Sequence, residues 1–211
     1  MLEFHDFLKE YGGKPVIGIP SFFIPTGLHW IRGKNGSGKS SLFRCIAGNS
    51  PFKGSIRLND AFDPVKNPVE YRSRVNFSEA EPQFPSFLSG KELLHFVARA
   101  KNTDSSRLEK VISQLHLPVY FENPCGTYSS GMNKKISLAM AFLGKPELIL
   151  LDEPFITLDS ESCRNLGQMI EEARAEGAGI LLSSHPDLSE GLLNISQIYE
   201  INEGVFQHHH G

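Results

Sequence analysis

An α/β fold is predicted by three observations. Short, largely apolar runs at residues 28–31, 148–151 and 179–183 read as buried strands. Stretches with helical spacing of apolar residues separate them, as crossover connections between parallel strands require. A turn-rich amino-terminal stretch reads as antiparallel hairpins instead. The chain has 211 residues, 40% hydrophobic and 21% charged, enough for one well-buried domain and too few for two large ones.

Taken in order, residues 4–25 alternate apolar pieces with turn signals at Gly12-Gly13 and Ile24-Pro25-Thr26-Gly27. Residues 28–31 form the first buried strand, a glycine-rich loop follows, and Leu42, Phe43 and Ile46 mark a helix over 40–47 that ends near Gly48. Between about 87 and 143 the spacing is helical: Leu93, Phe96, Val97 and Ala100, then Leu108, Val111, Ile112 and Leu115, then Met132, Ile136, Ala139 and Leu143. A strand at 148–151, a helix over about 160–176, a strand at 179–183 and a hairpin at 196–206 around Asn202-Glu203-Gly204 complete the chain. The expected organisation is a single domain: a core with its antiparallel β subdomain over about 1–86 and 144–206, an inserted α-helical subdomain over about 87–143, and 207–211 as a tail or tag remnant.

Composition excludes several classes. Lysine and arginine number 21 against 24 acidic residues, a net charge of −3, so no basic field argues for nucleic acid, and none is expected as a partner. Cys45, Cys125 and Cys163 lie far apart with no CxxC, against a zinc knuckle or a disulfide framework and in favour of a reducing compartment. The start, MLEFHDFLKE, lacks the basic and apolar regions of a signal peptide, and no apolar run approaches the roughly 20 residues of a membrane span. A cytoplasmic location is expected.

Gly33-Lys34-Asn35-Gly36-Ser37-Gly38-Lys39-Ser40 fits GxxxxGK[ST] between a predicted strand and a predicted helix, the context of a P-loop NTPase core. Glycines let successive amides point at phosphate oxygens, and the helix amino terminus adds positive potential. Lys39 reaches the outer phosphates and Ser40, with Ser41 beside it, offers a hydroxyl to Mg²⁺. The strand at 148–151 runs into Asp152 and Glu153. Asp152 is placed as a Mg²⁺ ligand through water, and Glu153 is left to orient and polarise the attacking water. The strand ending at Ser183-Ser184 brings His185 toward the same phosphate. A nucleotide and Mg²⁺ are the expected ligands, and the family resemblance below makes the nucleotide ATP.

From Tyr11 to His185 the order of these motifs resembles the nucleotide-binding subunit of ATP-binding cassette (ABC) transporters. Thr127-Tyr128-Ser129-Ser130-Gly131-Met132 is similar to the family's signature, usually LSGGQ, at the start of the helix before the Asp-Glu strand. Read without the family, Ser129 is a plain helix cap. The resemblance implies that Ser129, Ser130, Gly131 and Met132 contact ATP held by another subunit, so that a head-to-tail dimer with a second copy or a homologous ATPase subunit sandwiches two ATP molecules. It further implies that residues 154–159, with Leu158 and Asp159, form the D-loop beside the partner's site, and that Tyr11 stacks on adenine. A partly buried core tyrosine is the alternative for Tyr11.

The glutamine that normally enters the helical subdomain, the Q-loop residue, is displaced. Counting back from Leu88-Ser89 puts Ala80 at its position, flanked by Glu79 and Glu81, with Gln83 three residues on. A local insertion would restore Gln83, a shift of one would substitute a glutamate, and the spacing slightly favours the glutamate. Phe84, Phe87 and Leu88 lie where the family receives a membrane subunit, and equally suit a local core.

The expected function is therefore ATP binding and hydrolysis that drives separate transmembrane permease subunits, with the protein peripheral on the cytoplasmic face of the membrane. The alternative is a non-transport ABC clamp on nucleic acid, ribosome or protein. Against it stand the lack of a long heptad insertion, of a second cassette and of a basic balance. A P-loop small-molecule kinase would leave the signature and His185 unexplained.

Overall fold

The computed structural model describes residues 1–184 and 193–209. Strand β1 (Leu2–Tyr11) turns at Gly12-Gly13 into β2 (Lys14–Ile24), and β3 (Leu28–Arg32) then leads through the glycine-rich loop to helix α1 (Lys39–Ile46). There follow β4 (Lys53–Leu58), α2 (Pro68–Arg74), β5 (Val75–Ser78), and three consecutive helices, α3 (Gly90–Ala100), α4 (Ser105–Gln114) and α5 (Ser130–Ala141). The chain continues with β6 (Leu148–Asp152), α6 (Ser160–Ala175), β7 (Gly179–Ser183), β8 (Gln197–Asn202) and β9 (Val205–His208).

All these strands join one sheet in the order β4-β1-β2-β9-β8-β3-β7-β6-β5. Strands β8, β3, β7, β6 and β5 are parallel neighbours, whereas β1 pairs antiparallel with β2 and β4. The antiparallel part expected at the amino terminus is present, and it is continuous with the parallel part. The link is β9, antiparallel to β8 but parallel to β2 through Gly18 and Val205. Because β9 runs to His208, Gln207 and His208 belong to the sheet, opposite Glu200 and Tyr199, where a tail from 207 was expected.

Strands β3, β7 and β6 are buried on both faces, which is why they read as largely apolar runs. Along β6, Ile149 and Leu151 point into a core shared with α3, α4, α5 and α6, while Leu148 and Leu150 point into a second core under α1 and the curled β1-β2-β4 edge. Strand β7 divides in the same way, Ile180 and Leu182 to the first core and Leu181 to the second.

Helix α3 begins with a capping box, Ser89 accepting from Glu92 N at 3.2 Å while the Glu92 carboxylate accepts from Ser89 N at 2.8 Å. Its buried face differs from the expected one. Leu94 and Ala98 are buried and Phe96 and Ala100 exposed, because the inward stripe is rotated by one residue toward α5. Polar groups tie α5 to β5: Asn76 Nδ2 donates to the carbonyls of Ala141 and Leu143 at 2.9 and 2.8 Å, closing the helix end, and the Ser78 and Ser137 hydroxyls are 2.9 Å apart. Among the described residues no helix is long and apolar enough to cross a membrane.

Leu150 is fully buried at the centre of β6, so Leu150→Ala leaves a cavity that neither flanking strand can fill. A loss of about 2–5 kcal/mol is expected, read as a lower urea midpoint at unchanged slope.

Candidate nucleotide-binding site

Three parallel strands bring the chemistry to one end of the sheet. The carboxyl ends of β3, β7 and β6 lie side by side, with Ile31 opposite Ser183 and Ser183 opposite Asp152. From β3 the chain passes through residues 33–38 into α1, whose first residue is Lys39. Gly38 caps this helix at φ 107°, and a Cβ there would lie 3.2 Å from Val16 Cγ1, so both backbone and space call for glycine. The free amides of the first helical turn face a cavity of about 610 Å³, lined by residues 35–41 together with Tyr11, Val16, Ala80, Glu81, Glu153 and Ile156.

Lys39 is 6% exposed, and its Nζ donates to the Gly33 and Lys34 carbonyls at 2.7 and 3.3 Å. The same ammonium stands 3.9 Å from Glu153 Oε1, which joins the loop to the carboxylate that follows β6. Tyr11 is half exposed at the cavity rim, with its hydroxyl 3.3 Å from Ser41 Oγ and Lys9 Nζ 4.4 Å from its ring centre. It is not a core tyrosine.

Asp152 is buried, and the Ser183 hydroxyl donates to its Oδ1. Glu153 N donates to the Ser183 carbonyl at 3.1 Å and to the Ser183 hydroxyl at 3.2 Å. Glu153 adopts φ 49°, left-handed backbone that a non-glycine residue holds only where its surroundings over-determine it. Ser183 is thus a positioning residue for both acidic residues. It was legible only as the end of a strand, since its role depends on the β6–β7 register.

Lys134 went unnoticed in the sequence. It lies on α5 with 1% exposure, and its Nζ donates to the carbonyls of Asp152, Glu79 and Ala80 at 2.6, 2.7 and 3.3 Å. Burial pushes its ammonium down to about 8, opposed by the Asp152, Glu153 and Glu79 carboxylates. One signal was available: Lys134 shares a helical face with Leu138 and Ala141, so a lysine interrupts an apolar stripe.

The three Q-loop candidates share one groove, which Glu79, Glu81 and Gln83 line together with Phe84 and where Glu79 pairs with Arg44 of α1 at 3.3 Å. Of the three, Glu81 also lines the cavity over α1. The signature residues Ser129, Ser130, Gly131 and Met132 are not among those lining the cavity. Ser129 caps α5, accepting from Met132 N at 3.2 Å, and a Cβ on Gly131 would lie 2.7 Å from the Thr157 carbonyl, so the backbone of the segment expected as the D-loop packs directly on this helix start. Leu158 packs against the first core. Asp159 caps α6, accepting from Ser162 N at 2.8 Å and pairing with Lys135 at 3.0 Å. The Ser162 amide, the Lys135 ammonium and the Ser162 hydroxyl hold its carboxyl well below the usual range. His185 lies outside the described residues.

The family model described as ABC transporter matches residues 21–156, from β2 through the Asp152-Glu153 turn. The cytochrome c biogenesis ATP-binding export protein CcmA of Legionella pneumophila is 33% identical over 195 residues, covering 89% of this chain and 94% of that protein. This chain belongs to the ABC transporter family. The human retinal-specific phospholipid-transporting ATPase ABCA4 is 29% identical over 88% of this ABC chain, which spans 8% of that much longer protein. Among solved structures, an ATP-binding subunit of an ABC transporter superposes with a TM-score of 0.86 at 26% identity, covering 97% of this chain and 87% of that one. Membership makes this an ATP-binding ABC ATPase cassette, and the cavity over α1 is the place where its own P-loop meets Glu153.

Lys39→Ala removes the buried ammonium from the cavity wall and both of its loop contacts. ATP affinity measured by titration calorimetry is expected to fall by about 10- to 100-fold, the range of a lost charge-assisted hydrogen bond.

Proposed function

We propose that this chain is the ATP-hydrolysing subunit of a transporter, acting as a head-to-tail dimer with a second copy or a homologous subunit and driving separate transmembrane permease subunits from the cytoplasmic face of the membrane. The observation that carries this reading is the division of the site. The P-loop, Lys39 and Glu153 surround the cavity, whereas the capped start of α5, with Ser129 to Met132, faces elsewhere and suits a nucleotide bound by another subunit. Dimeric assembly and a membrane partner are general in the family to which the chain belongs, and CcmA is by name an export protein.

In this reading the amides of residues 35–40 and the Lys39 ammonium bind the phosphates, Ser41 and Tyr11 border the base, and Tyr11 stacks on it. Glu153 orients the attacking water and accepts its proton at a carboxylate oxygen. His185 lies outside the described residues and keeps the catalytic role that the sequence suggests. Ser40 and Asp152 supply hard oxygen donors that fit Mg²⁺, and the Ser183 hydroxyl fixes the Asp152 carboxylate for that purpose. When bound, the ion neutralises charge on the phosphates. Of the Q-loop candidates, Glu81 is favoured by its place on the cavity wall, and Asp159, with Leu158 before it, turns the chain toward the partner's site.

Glu153→Gln should retain ATP binding, accumulate a dimer with ATP in light scattering, and hydrolyse at least about 10²-fold more slowly. Hydrolysis at the parent rate would overturn the assignment. Parallel alanine substitutions test the Q-loop: Glu81→Ala is expected to change the Mg²⁺ dependence of turnover, and an effect confined to Gln83→Ala would assign the role to Gln83 instead.

Phe87, three residues beyond Phe84, is 79% exposed, and an exposed aromatic ring suits contact with a permease. Phe84 meanwhile packs on the chain's own core. Phe87→Asp is expected to leave ATPase activity of the isolated chain within about twofold while abolishing its recovery in the membrane fraction of its native host.

A further inference from the structure

The peptide unit joining Asp152 to Glu153 is held at both ends by different elements. Its N–H donates to Ser183 of β7, and its carbonyl accepts from Lys134 of α5 at 2.6 Å. It lies just beyond the last residue pair of the β5–β6 ladder, Ser78 with Leu151, where regular strand pairing has stopped. There the Lys134 ammonium replaces the ladder. It bridges the Asp152 carbonyl to those of Glu79 and Ala80, using the three donors that an ammonium has. The helix that carries it opens with Ser129 and Gly131, five and three residues earlier, so one rigid turn separates this clasp from the signature.

We propose that Lys134 is a positioning residue for ATP hydrolysis: its bridge between the exit of β5 and the end of β6 holds Glu153 in its left-handed conformation beside Lys39, and ties that placement to the signature helix. Glu153 at φ 49° depends on such outside restraint, since nothing in its own backbone preference favours that conformation. A chain that lost the clasp would keep the P-loop, Lys39 and Tyr11, and with them nucleotide affinity. It would lose the fixed direction of the carboxylate. The inference rests on the reading that Glu153 acts on the attacking water, and it adds the residue that aims it.

Lys134→Met keeps the apolar stem and removes all three donors, and Lys134→Arg keeps donors and charge. The test compares both, with Glu153→Gln and the Lys134→Met/Glu153→Gln double variant, in kcat, KM, ATP affinity and thermal midpoint. Lys134→Met is expected to lower kcat at least tenfold with ATP affinity within about threefold of the parent. Lys134→Arg should restore kcat to within about threefold. In the double variant the Lys134 change should cause less than a twofold further loss, because the residue acts through Glu153. Should Lys134→Met lose its native thermal transition, Lys134→Gln, which keeps an amide donor, takes its place in every comparison. A kcat within twofold of the parent, a parallel loss of affinity and kcat, failure of arginine to rescue, or a full additive loss in the double variant would each overturn the proposal. A Glu153→Gln variant as active as the parent would instead defeat the underlying reading of Glu153, so the two failures are distinguishable.

Discussion

The parallel register of β3, β7 and β6 is the constraint on which the rest of the site depends. Because these strands are buried on both faces, most of their side chains pack into the two cores, and acidic side chains emerge where the ladder ends. All three end on the same edge, so Ser183 and the Asp152-Glu153 pair arrive beside a P-loop that lies more than a hundred residues before them in the chain. The alternation of Leu148 and Leu150 against Ile149 and Leu151 fixes this register, since a slip of one residue would exchange the two cores.

Buried charge at this edge is handled by backbone. Lys39 and Lys134 are both almost fully buried, and both find carbonyl oxygens, two for Lys39 and three for Lys134. A carbonyl satisfies an ammonium without adding another formal charge. The next lysine on α5, Lys135, faces outward to Asp159, so successive residues of one helix hold the end of β6 and the start of α6. Together with the Thr157 carbonyl packed on Gly131, these contacts join the start of α5 to the segment 154–159.

Charge balance also shapes the outer parts of the molecule. Glu79 meets Arg44, Glu147 meets Arg74 and Glu176 meets Arg107, each pair joining segments distant in sequence at a half-exposed position where it contributes modestly. The Asn76 amide contributes more to order, because it is buried and closes the carbonyl end of α5 where the chain returns to the sheet.

By itself the sequence determined the features that local chemistry dictates. A glycine-rich loop between an apolar strand and a helix has few ways to arrange its amides, so residues 33–38 were legible as the loop that joins β3 to α1, and the apolar runs of β3, β6 and β7 declared a parallel core. Ser129 read as both cap and signature, and it is a cap in the structure. What only the tertiary structure decided is non-local. The insertion of β9 between β2 and β8, the rotation of α3 that exposes Phe96, the choice of Glu81 for the cavity wall, and the clasp of Lys134 on Asp152 all depend on elements far apart in the chain. Periodicity reports which face of an element is apolar, not what the opposing element offers. A lysine in an apolar stripe therefore gains meaning only when the carbonyls beyond two strand ends are found within reach of its ammonium.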